Sequence, residues 1–216
     1  MTERLFMLDP YRKEFDSKIA NIGESYLILD KTCFYPQSGG QVGDTGKIGS
    51  VSVINTKYDE NRENILHYVD SVSGFEVNQQ VNCQLDWNRR YNIMKLHAAS
   101  HIMEYFLFKI FGELKLLGCN VNDVRDSSTY EYSDDFDNNK LLEVQKLANE
   151  FIDKNHEIIR YNDPKNPNYW YWKAGCIVMP CGGTHPKSTK EIGHISIKME
   201  RDKKNKIKIN TSFVID

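Results

Sequence analysis

The sequence predicts an α+β protein in which a small N-terminal β-barrel precedes an α+β domain of helices and antiparallel strands. Three observations predict it. Short apolar runs broken by turn residues fill the first eighty-odd positions, a long stretch with helical periodicity follows, and strand-like alternation returns near the C-terminus. The change of pattern places the boundary near residue 88. It gives a β-barrel domain at 1–88 and an α+β domain at 89–216.

The barrel is predicted from short runs rich in β-branched and aromatic residues, at 25–29, 50–54 and 65–69. Glycine, asparagine and aspartate clusters separate these runs. Strands this short, joined by regular turns, are typical of a small closed barrel. A glycine-rich loop at 34–46 lies between two of the runs.

A buried helix is predicted at 87–111, a stretch without glycine or proline. Apolar residues and histidines recur there at helical spacing, and much of the remaining helix surface is apolar too. Gly112 supplies a stop signal. A second helix is predicted at about 139–155. Its apolar positions are Leu141, Leu142, Val144, Leu147, Ala148, Phe151 and Ile152.

The rest of the second domain is predicted as one loop and two strands. Residues 162–168 are rich in turn-forming residues and are predicted to form the loop. Strands are predicted at 192–199 and 206–210, with the charged turn 200–205 between them. The helix at 87–111 is therefore expected to pack on an antiparallel sheet.

Composition excludes a protein coated in positive charge. The 216 residues are 40% hydrophobic and 27% charged, with a formal net charge of −2. Residues 1–88 carry 8 basic and 13 acidic side chains, whereas 89–216 carry 20 and 17. Any contact with nucleic acid must therefore come from a local patch, and the second half is the better candidate for one.

The sequence predicts neither a membrane protein nor a secreted one. No run approaches the roughly 18 apolar residues that span a bilayer. The charged N-terminus lacks the apolar core of a signal peptide. The protein is therefore expected in the cytoplasm. In that reducing compartment its five cysteines are predicted to be thiols or metal ligands and not a disulfide framework.

The predicted helix at 87–111 carries the motif His97-Ala-Ala-Ser-His101. Histidines four residues apart share a helix face, so both rings can grip one metal ion. Such pairs also occur as core residues with hydrogen-bonded rings. The motif is not the zinc-protease signature, because Ala98 stands where that signature has its general-base glutamate.

A second pair of metal-binding residues lies on a glycine-rich turn, in Cys181-Gly-Gly-Thr-His185. One thiolate and three imidazoles suit zinc by softness and by coordination number. The alternative for Cys181 is a small buried hydrophobic residue. Two ligand pairs on separate elements favour one zinc ion per chain, with His97, His101, Cys181 and His185 as its ligands.

Together these motifs resemble a known family. The histidine motif, combined with residues 181–193, is similar to the editing domain of alanyl-tRNA synthetases and to its stand-alone AlaX relatives. Residues 86–94 resemble the lead-in to the family's histidine helix, and the loop at 34–46 resembles the family's loop in the preceding β domain. The resemblance covers nearly the whole chain. With no room for an adenylation domain and no ATP site evident, the chain looks like the free-standing, medium-length AlaX form.

The resemblance implies a zinc-dependent aminoacyl-tRNA deacylase, which is a carboxylic ester hydrolase. Such a protein removes mainly serine from mischarged tRNA(Ala) in trans, with glycine left open as a second substrate. The family's four zinc ligands map onto His97, His101, Cys181 and His185. No catalytic group is predicted beyond a water positioned at the zinc site. Four protein ligands usually make a closed, structural zinc site, whereas a catalytic zinc keeps one position open. The resemblance therefore leaves three arrangements: one ligand is loose, the ion becomes five-coordinate, or zinc mainly anchors the substrate.

The chain departs from the family pattern at three places. Ala98 stands where the family usually has threonine, and Leu116-Leu-Gly-Cys119 aligns with a Gln-Lys-Gly-Ser stretch. The C-terminal Gly-x-Arg-Arg-Ile pattern is weakened at residues 205–209. These changes leave the four zinc ligands intact and bear on rate and amino-acid preference.

Selectivity requires a polar group that recognises one hydroxyl, because serine and alanine esters differ only there. The candidates are Thr184, Ser100 and Gln41. For Thr184 and Ser100 the alternative is local hydrogen bonding to the backbone. Gly39 and Gly40, next to Gln41, are predicted to let the loop approach the tRNA end closely, with a tight turn between strands as the alternative.

Affinity for tRNA is expected to come mainly from phosphate contacts. The run 198–208 carries six basic and two acidic residues. Three further basic residues flank the predicted ligands: Arg89, Arg90 and Lys187. Ordinary solvated surface charge is the alternative for all of them. An aromatic triplet could stack on bases or be buried in the core: Trp170, Tyr171 and Trp172.

Three other functions fit parts of the pattern. The first is a zinc-stabilised tRNA- or RNA-binding module without strong catalysis, which the changes at Ala98, Leu116 and Leu117 keep open. The second is a threonyl-tRNA editing hydrolase, since threonyl-tRNA synthetase carries a related domain; the glycine-rich β domain favours the alanine family. The most distant is a small-molecule metallohydrolase. The sequence makes no prediction of oligomeric state.

Overall fold

The computed structural model describes residues 1–132, 137–203 and 205–214. Contacts along the chain divide it into two compact units, Met1–Tyr91 and Asn92–Asp216. A closed barrel, antiparallel sheets and a few helices make up these units. The predicted α+β fold class is confirmed.

Six antiparallel strands form the barrel of the first unit. They are β2 (Glu14–Ile22), β3 (Tyr26–Leu29), β5 (Gly46–Ile48), β6 (Val51–Tyr58), β7 (Ile65–Val69) and β8 (Gln80–Leu85). Their order around the barrel is β2–β3–β7–β6–β5–β8. A separate parallel pair consists of β1 (Glu3–Arg4) and β4 (Lys31–Thr32), and the short helix α1 (Leu5–Leu8) follows β1.

The barrel forms because its strands alternate between buried and exposed residues. In β7 and β8 every second side chain is buried, which is the period of a sheet with one face toward a core. The buried apolar side chains come from all six strands and include Phe15, Ile19, Leu27, Leu29, Ile48, Val53, Val69, Val81, Cys83 and Leu85. The predicted small barrel is therefore a closed one with its own core.

A buried ion pair fixes the glycine-rich loop within the first unit. The side chains of Arg90 and Asp44 are each 1% exposed and bond to one another. Arg90 also donates to the carbonyl oxygen of Cys33 at 2.7 Å, and Asp44 accepts the backbone N–H of Tyr35 at 2.5 Å. Burial of this kind is tolerated only when both charges are paired and hydrogen-bonded. Arg90 is therefore a structural residue, and the predicted contact between its side chain and tRNA is wrong.

Helix α2 (Trp87–Phe111) has the bounds that the sequence predicts. It ends at Gly112, whose φ of 83° is the left-handed conformation that glycine adopts easily after a helix. Several side chains of its middle section are 0% exposed: Ile93, Met94, Leu96, Ala98, Ala99, Ile102, Met103 and Leu107. The prediction of a buried helix is confirmed.

Two antiparallel sheets belong to the second unit. The four-stranded sheet consists of β9 (Lys115–Val121), β10 (Asp126–Glu131), β14 (Ile195–Lys203) and β15 (Lys206–Phe213), in the order β14–β15–β10–β9. The three-stranded sheet consists of β11 (Ile158–Asp163), β12 (Asn166–Ala174) and β13 (Ile177–Pro180), in that order. A short 3₁₀ turn at Thr189–Glu191 precedes β14.

Helix α3 (Asn138–Asp153) completes the second unit and forms where the sequence predicts a helix. Asp137 caps it by accepting the backbone N–H of Asn139 at 2.8 Å. Its buried positions are Leu141, Val144, Ala148, Phe151 and Ile152, and these pack in one core with α2 and both sheets. Leu142 is 62% exposed, so this apolar position does not belong to the buried face.

The loop predicted at 162–168 is shorter than expected. Strand β11 runs to Asp163 and β12 begins at Asn166, so only two residues separate the strands. The carboxylate of Asp163 accepts the backbone N–H of Lys165 at 2.7 Å, which closes the turn locally. The strands predicted at 192–199 and 206–210 do pair as an antiparallel hairpin. The turn predicted at 200–205 is shorter than expected, because β14 runs to Lys203 and β15 begins at Lys206. Residue 204 of that turn lies outside the described residues.

The described part of the chain contains no helix that is both long and apolar enough to cross a membrane. All five cysteines are free thiols, as predicted.

Candidate metal centre

Four metal-binding side chains converge inside the second unit. His97 and His101 project from α2, and Cys181 and His185 lie in the turn that follows β13. One ligand atom from each lies within 4.8 Å of the ligand atoms of the others. The structure thus brings together all four residues that spacing singles out.

Local structure explains each half of the group. His97 and His101 are four residues apart on a continuous helix, and their ring centroids lie 4.9 Å apart. The Sγ atom of Cys181 lies 3.5 Å from Nε2 of His97 and 3.2 Å from Nε2 of His185. Gly183 donates its backbone N–H to that sulfur at 3.4 Å, a contact that favours a thiolate. The turn therefore folds around its own sulfur atom.

Burial keeps the three imidazoles neutral. It lowers the pKa of His101 to about 4 and those of His97 and His185 well below the ordinary value. The repulsion that two protonated neighbouring rings would experience, and the charge of Arg160, also contribute to the lowered pKa values of His97 and His185. Neutral rings keep a nitrogen lone pair available for a cation at neutral pH.

Burial also raises the pKa of Cys181 to about 11, although the N–H of Gly183 and the charge of Arg160 act in the opposite direction. The protein alone therefore favours a neutral thiol. A divalent cation at the centre would reverse that balance and make sulfur a thiolate ligand.

The donor set fits one metal ion. One sulfur and three imidazole nitrogens match the number and type of ligands in tetrahedral sites. The Nε2 atom of His101 is buried and has no hydrogen-bond partner among the described residues. A buried unpaired nitrogen is costly, and a bound ion would satisfy it. The group could therefore hold a metal ion.

The hydroxyl candidates near the centre have different surroundings. Ser100 is half-buried, and its Oγ donates to the carbonyl oxygen of His97 at 2.9 Å, the local bond that was the alternative for this residue. Thr184 is 0% exposed and lies in the turn between the two ligands Cys181 and His185. A substrate contact by either hydroxyl remains a prediction.

The loop candidates belong to the first unit. Gly39 and Gly40 have φ values of 57° and 84°, so both adopt the left-handed conformation. Gln41 is 0% exposed, and its backbone exchanges hydrogen bonds with Ser38 at 3.0 Å. The loop thus contains the tight turn that was the alternative. Close approach to the tRNA end remains a prediction.

The three residues of the aromatic triplet differ in burial. Trp172 is 0% exposed, and its ring centroid lies 5.1 Å from that of His101 and 5.8 Å from that of His185. Burial is therefore the correct interpretation for Trp172, which cannot stack on a base. Trp170 and Tyr171 are half-buried.

Several of the predicted phosphate contacts lie on the surface of the second unit. The side chains of Lys187, Lys198 and Lys206 are exposed. Within the run 198–208, the side chains of residues 201–204 lie outside the described residues. A role of these lysines in binding tRNA remains a prediction.

Sequence reasoning missed three polar residues of the second unit. Glu104 follows His101 by three positions, so the helical stripe that contains the histidines could have identified it. Asp126 and Thr211 lie opposite one another on strands β10 and β15. Nothing in the sequence links two positions so far apart, because only the strand pairing brings them together.

Two family models match the chain. Residues 3–89 match the model of class II (A) tRNA synthetases. Residues 174–209 match the second additional domain of threonyl and alanyl tRNA synthetases. The second match contains the turn that carries Cys181 and His185.

Similar curated proteins cover almost the whole chain. An alanyl-tRNA editing protein AlaX-M of Saccharolobus solfataricus is 37% identical, over 90% of this chain and 91% of that protein. Another AlaX-M, of Pyrococcus horikoshii, is 33% identical over 90% of this chain and 89% of that protein. An alanine–tRNA ligase of Methanococcus aeolicus is 30% identical over 93% of this chain, which corresponds to 24% of the ligase.

Proposed function

This chain belongs to the AlaX family of alanyl-tRNA editing proteins, and from that premise we propose that it hydrolyses the ester bond joining serine to mischarged tRNA(Ala). It acts in trans and in the cytoplasm. The observation that carries the proposal is the convergence of His97, His101, Cys181 and His185, with ligand atoms within 4.8 Å of one another. The relatives named AlaX-M align with the chain over nearly its whole length.

We propose zinc as the resident metal. One soft thiolate and three imidazoles are the ligand types that zinc prefers, and intracellular zinc sites commonly combine them. When bound, zinc would supply Lewis-acid chemistry suited to ester hydrolysis. His97, His101, Cys181 and His185 would hold it.

The surrounding residues exclude water and orient the ligands. The fully buried indole of Trp172 lies against the rings of His101 and His185. The hydroxyl of Ser100 donates to the backbone of His97 and retains lone pairs that can accept a hydrogen bond from a seryl hydroxyl. Thr184, between two ligands, is the second candidate for that contact. An alanyl group would leave such a polar atom unpaired, which is the basis for sparing correctly charged tRNA.

Glycine is a weaker expected substrate. It lacks both the hydroxyl and the methyl group, so the site has fewer contacts with which to select it. Gly39 and Gly40 of the first unit are proposed to contact the tRNA end, and Gln41 of the same loop is the third candidate for the contact with the seryl hydroxyl. A loop with little side chain allows a ligand backbone to come close.

The first test measures hydrolysis of tRNA charged with serine, glycine, alanine or threonine, with the metal content determined on the same preparation. We expect rapid release of serine, little release of alanine, and one zinc ion per chain. His101→Asn should lose the metal and nearly all turnover, because the remaining three ligands no longer form a complete set. The matched control is His194→Asn, since His194 is an exposed histidine of the same unit that pairs with Asp153.

Each alternative has its own result. A zinc-loaded protein that binds tRNA but releases no amino acid would be a binding module. Preferential release of threonine would indicate threonyl-tRNA editing. Full activity in folded protein that has been stripped of zinc would contradict the proposed role of the metal.

A further inference from the structure

A group of polar side chains in the second unit includes Glu104, a half-buried residue one helical turn beyond His101 on α2. It is formed by side chains of α2, β10 and β15: Glu104, Asp126, Ser128, Tyr130 and Thr211. We call it the acidic group. None of its members is a metal ligand in the proposed function, and the family resemblance assigns none of them a role.

The group is built by strand alternation opposite the histidine helix. Asp126, Ser128 and Tyr130 occupy every second position of β10, and their exposed fractions are 0%, 4% and 1%. The hydroxyl of Tyr130 donates to Oε1 of Glu104 at 3.1 Å, which joins the strand to α2. Ser128 donates its hydroxyl to the carboxylate of Asp126 at 3.2 Å. The two carboxyl groups therefore share one buried region.

This region lacks positive charge. Among the ion pairs of the described residues, neither Glu104 nor Asp126 has a lysine, arginine or histidine partner. Burial, together with the nearby charge of Glu104, raises the pKa of Asp126 to about 7. Burial likewise raises the pKa of Glu104. Buried carboxylates are normally paired, so a cation is missing from the protein itself.

Thr211 gives independent evidence of a missing partner. It is the Cα partner of Asp126 in the β10–β15 ladder, so both side chains lie on the same face of the sheet. Thr211 is 0% exposed, and its Oγ1 has no hydrogen-bond partner among the described residues. Buried hydroxyl groups are almost always bonded. An unpaired hydroxyl beside two carboxylates that lack a cationic partner points to a ligand with several N–H donors.

One neighbour of the acidic group is exposed to solvent. Cys119 lies opposite Ser128 on the edge strand β9, and its side chain is exposed. The thiol of Cys119 lies within electrostatic reach of both Asp126 and Glu104, and also of Cys181 at the metal centre. Cys119 thus marks a side from which a small group could enter.

We propose that Glu104 and Asp126, together with Thr211, bind the α-ammonium group of the aminoacyl ester. The proposal rests on the proposed function. An aminoacyl ester carries its ammonium group one carbon from the carbonyl, so both groups must fit within a few ångströms. His97, His101 and Glu104 follow the spacing i, i+4, i+7 along one helix stripe, with neighbouring Cβ atoms roughly 5–6 Å apart. The acidic group thus begins one helical turn beyond the ligand His101, on the stripe that also carries His97.

The chemistry predicts a second level of selectivity. An ammonium group has three N–H donors, which can satisfy two carboxylates and one hydroxyl. An ester whose nitrogen is acylated, such as peptidyl-tRNA, has no charge there and keeps only one N–H donor. The enzyme would therefore leave nascent chains attached to their tRNA.

The test compares two non-hydrolysable ligands by calorimetry on the full zinc-loaded chain. Both are 3′-amino-3′-deoxyadenosines, one acylated with L-serine and one with 3-hydroxypropionic acid, so that they differ only in the ammonium group. We expect the wild-type protein to bind the seryl ligand about ten- to a hundredfold more tightly, as for hydrogen bonds to a charged group. Glu104→Gln should remove most of that difference and leave affinity for the hydroxypropionyl ligand unchanged.

Matched variants separate recognition from folding. Glu131→Gln changes an exposed carboxylate on β10, the strand that also carries Asp126. Glu131 pairs with Lys115 on the surface, so this variant should leave both affinities unchanged. Thr211→Val removes the hydroxyl at nearly constant volume and should reduce the seryl preference in part. Metal content and melting temperature are measured for each variant.

Two results would overturn the proposal while the editing function stands. One is equal affinity of the wild-type protein for both ligands in a preparation that releases serine from tRNA(Ala). The other is an equal loss of affinity for both ligands in Glu104→Gln. A zinc-loaded wild-type protein that neither releases serine nor binds the seryl ligand would instead contradict the proposed function. The wild-type comparison requires no variant, so poor folding of Glu104→Gln leaves the proposal testable.

Discussion

His67 shows how fully the barrel can bury a polar side chain once its hydrogen bonds are supplied. The residue is 0% exposed. Its Nε2 atom lies 2.8 Å from the hydroxyl of Thr32, and its Nδ1 atom lies 3.0 Å from the carbonyl oxygen of Leu27. Burial lowers the pKa of His67 to about 4, because a charged ring would lose its water and gain no counter-ion.

We predict that His67 makes the barrel less stable in mild acid. In the unfolded chain the ring titrates near its ordinary pKa of 6.5, whereas in the folded protein it stays neutral down to about pH 4. Between these values the unfolded state binds more protons. The free energy of unfolding should therefore fall by up to about 3 kcal/mol as the pH drops through that window, with no such contribution to the slope above it.

Urea denaturation from pH 7 to pH 4.5 would check this. The stability of His67→Gln should be lower at pH 7 but should depend less steeply on pH, so its deficit should shrink in acid. His194→Gln, at an exposed histidine, serves as the control and should retain the wild-type slope. A His67→Gln protein with the wild-type pH dependence would show that some other group is responsible.

Asp44 and Asp126 are both buried acidic residues, but they differ in whether the protein supplies a cationic partner. Asp44 has a guanidinium partner in Arg90 and accepts a backbone N–H as well. Among the described residues, the partners of Asp126 are the hydroxyl of Ser128 and the backbone of its own strand, with no cation. The first residue therefore has its counter-ion within the protein. The second requires a proton or a cation from outside, which is what a binding site provides.

Among the elements, the glycine-rich loop requires its glycines for different reasons. A Cβ atom on Gly43 would lie 2.2 Å from the carbonyl oxygen of Thr56 and 2.6 Å from Oδ1 of Asn55. Thr56 belongs to β6, so its backbone cannot easily move aside. A Cβ atom on Gly39 would meet nothing within 4 Å, although the φ of 57° is unfavourable for other residues. Gly43 is thus fixed by packing and Gly39 by backbone conformation alone.

We therefore predict that alanine substitutions at Gly43 and Gly39 differ in their effect on the stability of the barrel. Gly43→Ala should destabilise the barrel by more than about 2 kcal/mol, because the backbone must shift. Gly39→Ala should cost only about 1 kcal/mol, the strain of a left-handed alanine. Its fold and metal content should be unchanged, so any loss of serine release reports on contact with the tRNA end. Thermal unfolding, metal analysis and deacylation rates provide the measurements. Equal stability of the two variants would contradict the argument.

The sequence predicts an element well when the residues of that element carry a regular apolar pattern of their own. Helix α2 follows from an unbroken helical period, and β7 follows from strict alternation. Strand β9 has no such alternation, because six of its residues are exposed before Val121. The turn residues near Asp163 conceal the start of β12, since a single Asx turn is enough to reverse the chain there.

In the candidate site, too, residues close in sequence could be predicted, whereas residues joined only by the fold could not. His97 and His101, like Cys181 and His185, are close in sequence, so their spacing already suggests a shared ion. The acidic group has no such local signature. Asp126 and Thr211 meet only because β10 pairs with β15, and Glu104 joins them only because α2 packs against that sheet.

For the molecule as a whole, the two units differ in what holds them together. The barrel has its own apolar core from Leu5 to Leu85 and contains none of the candidate ligands. All four ligands lie in Asn92–Asp216, where they join α2 to the turn after β13. Because binding free energy adds to the stability of the structure that forms the site, a metal ion should stabilise the second unit selectively.

We predict that removing the metal loosens the second unit and leaves the barrel protected. At a free metal concentration a thousandfold above the dissociation constant, the ion contributes about 4 kcal/mol, which chelation would remove. Hydrogen exchange should then accelerate at amides of α2 near His101 and in the turn at Cys181, while amides of β7 retain their protection. His101→Asn should show the accelerated pattern without chelator and respond little when chelator is added. Equal loss of protection in β7 would mean that the two units unfold as one, and the metal would then be a determinant of the entire fold.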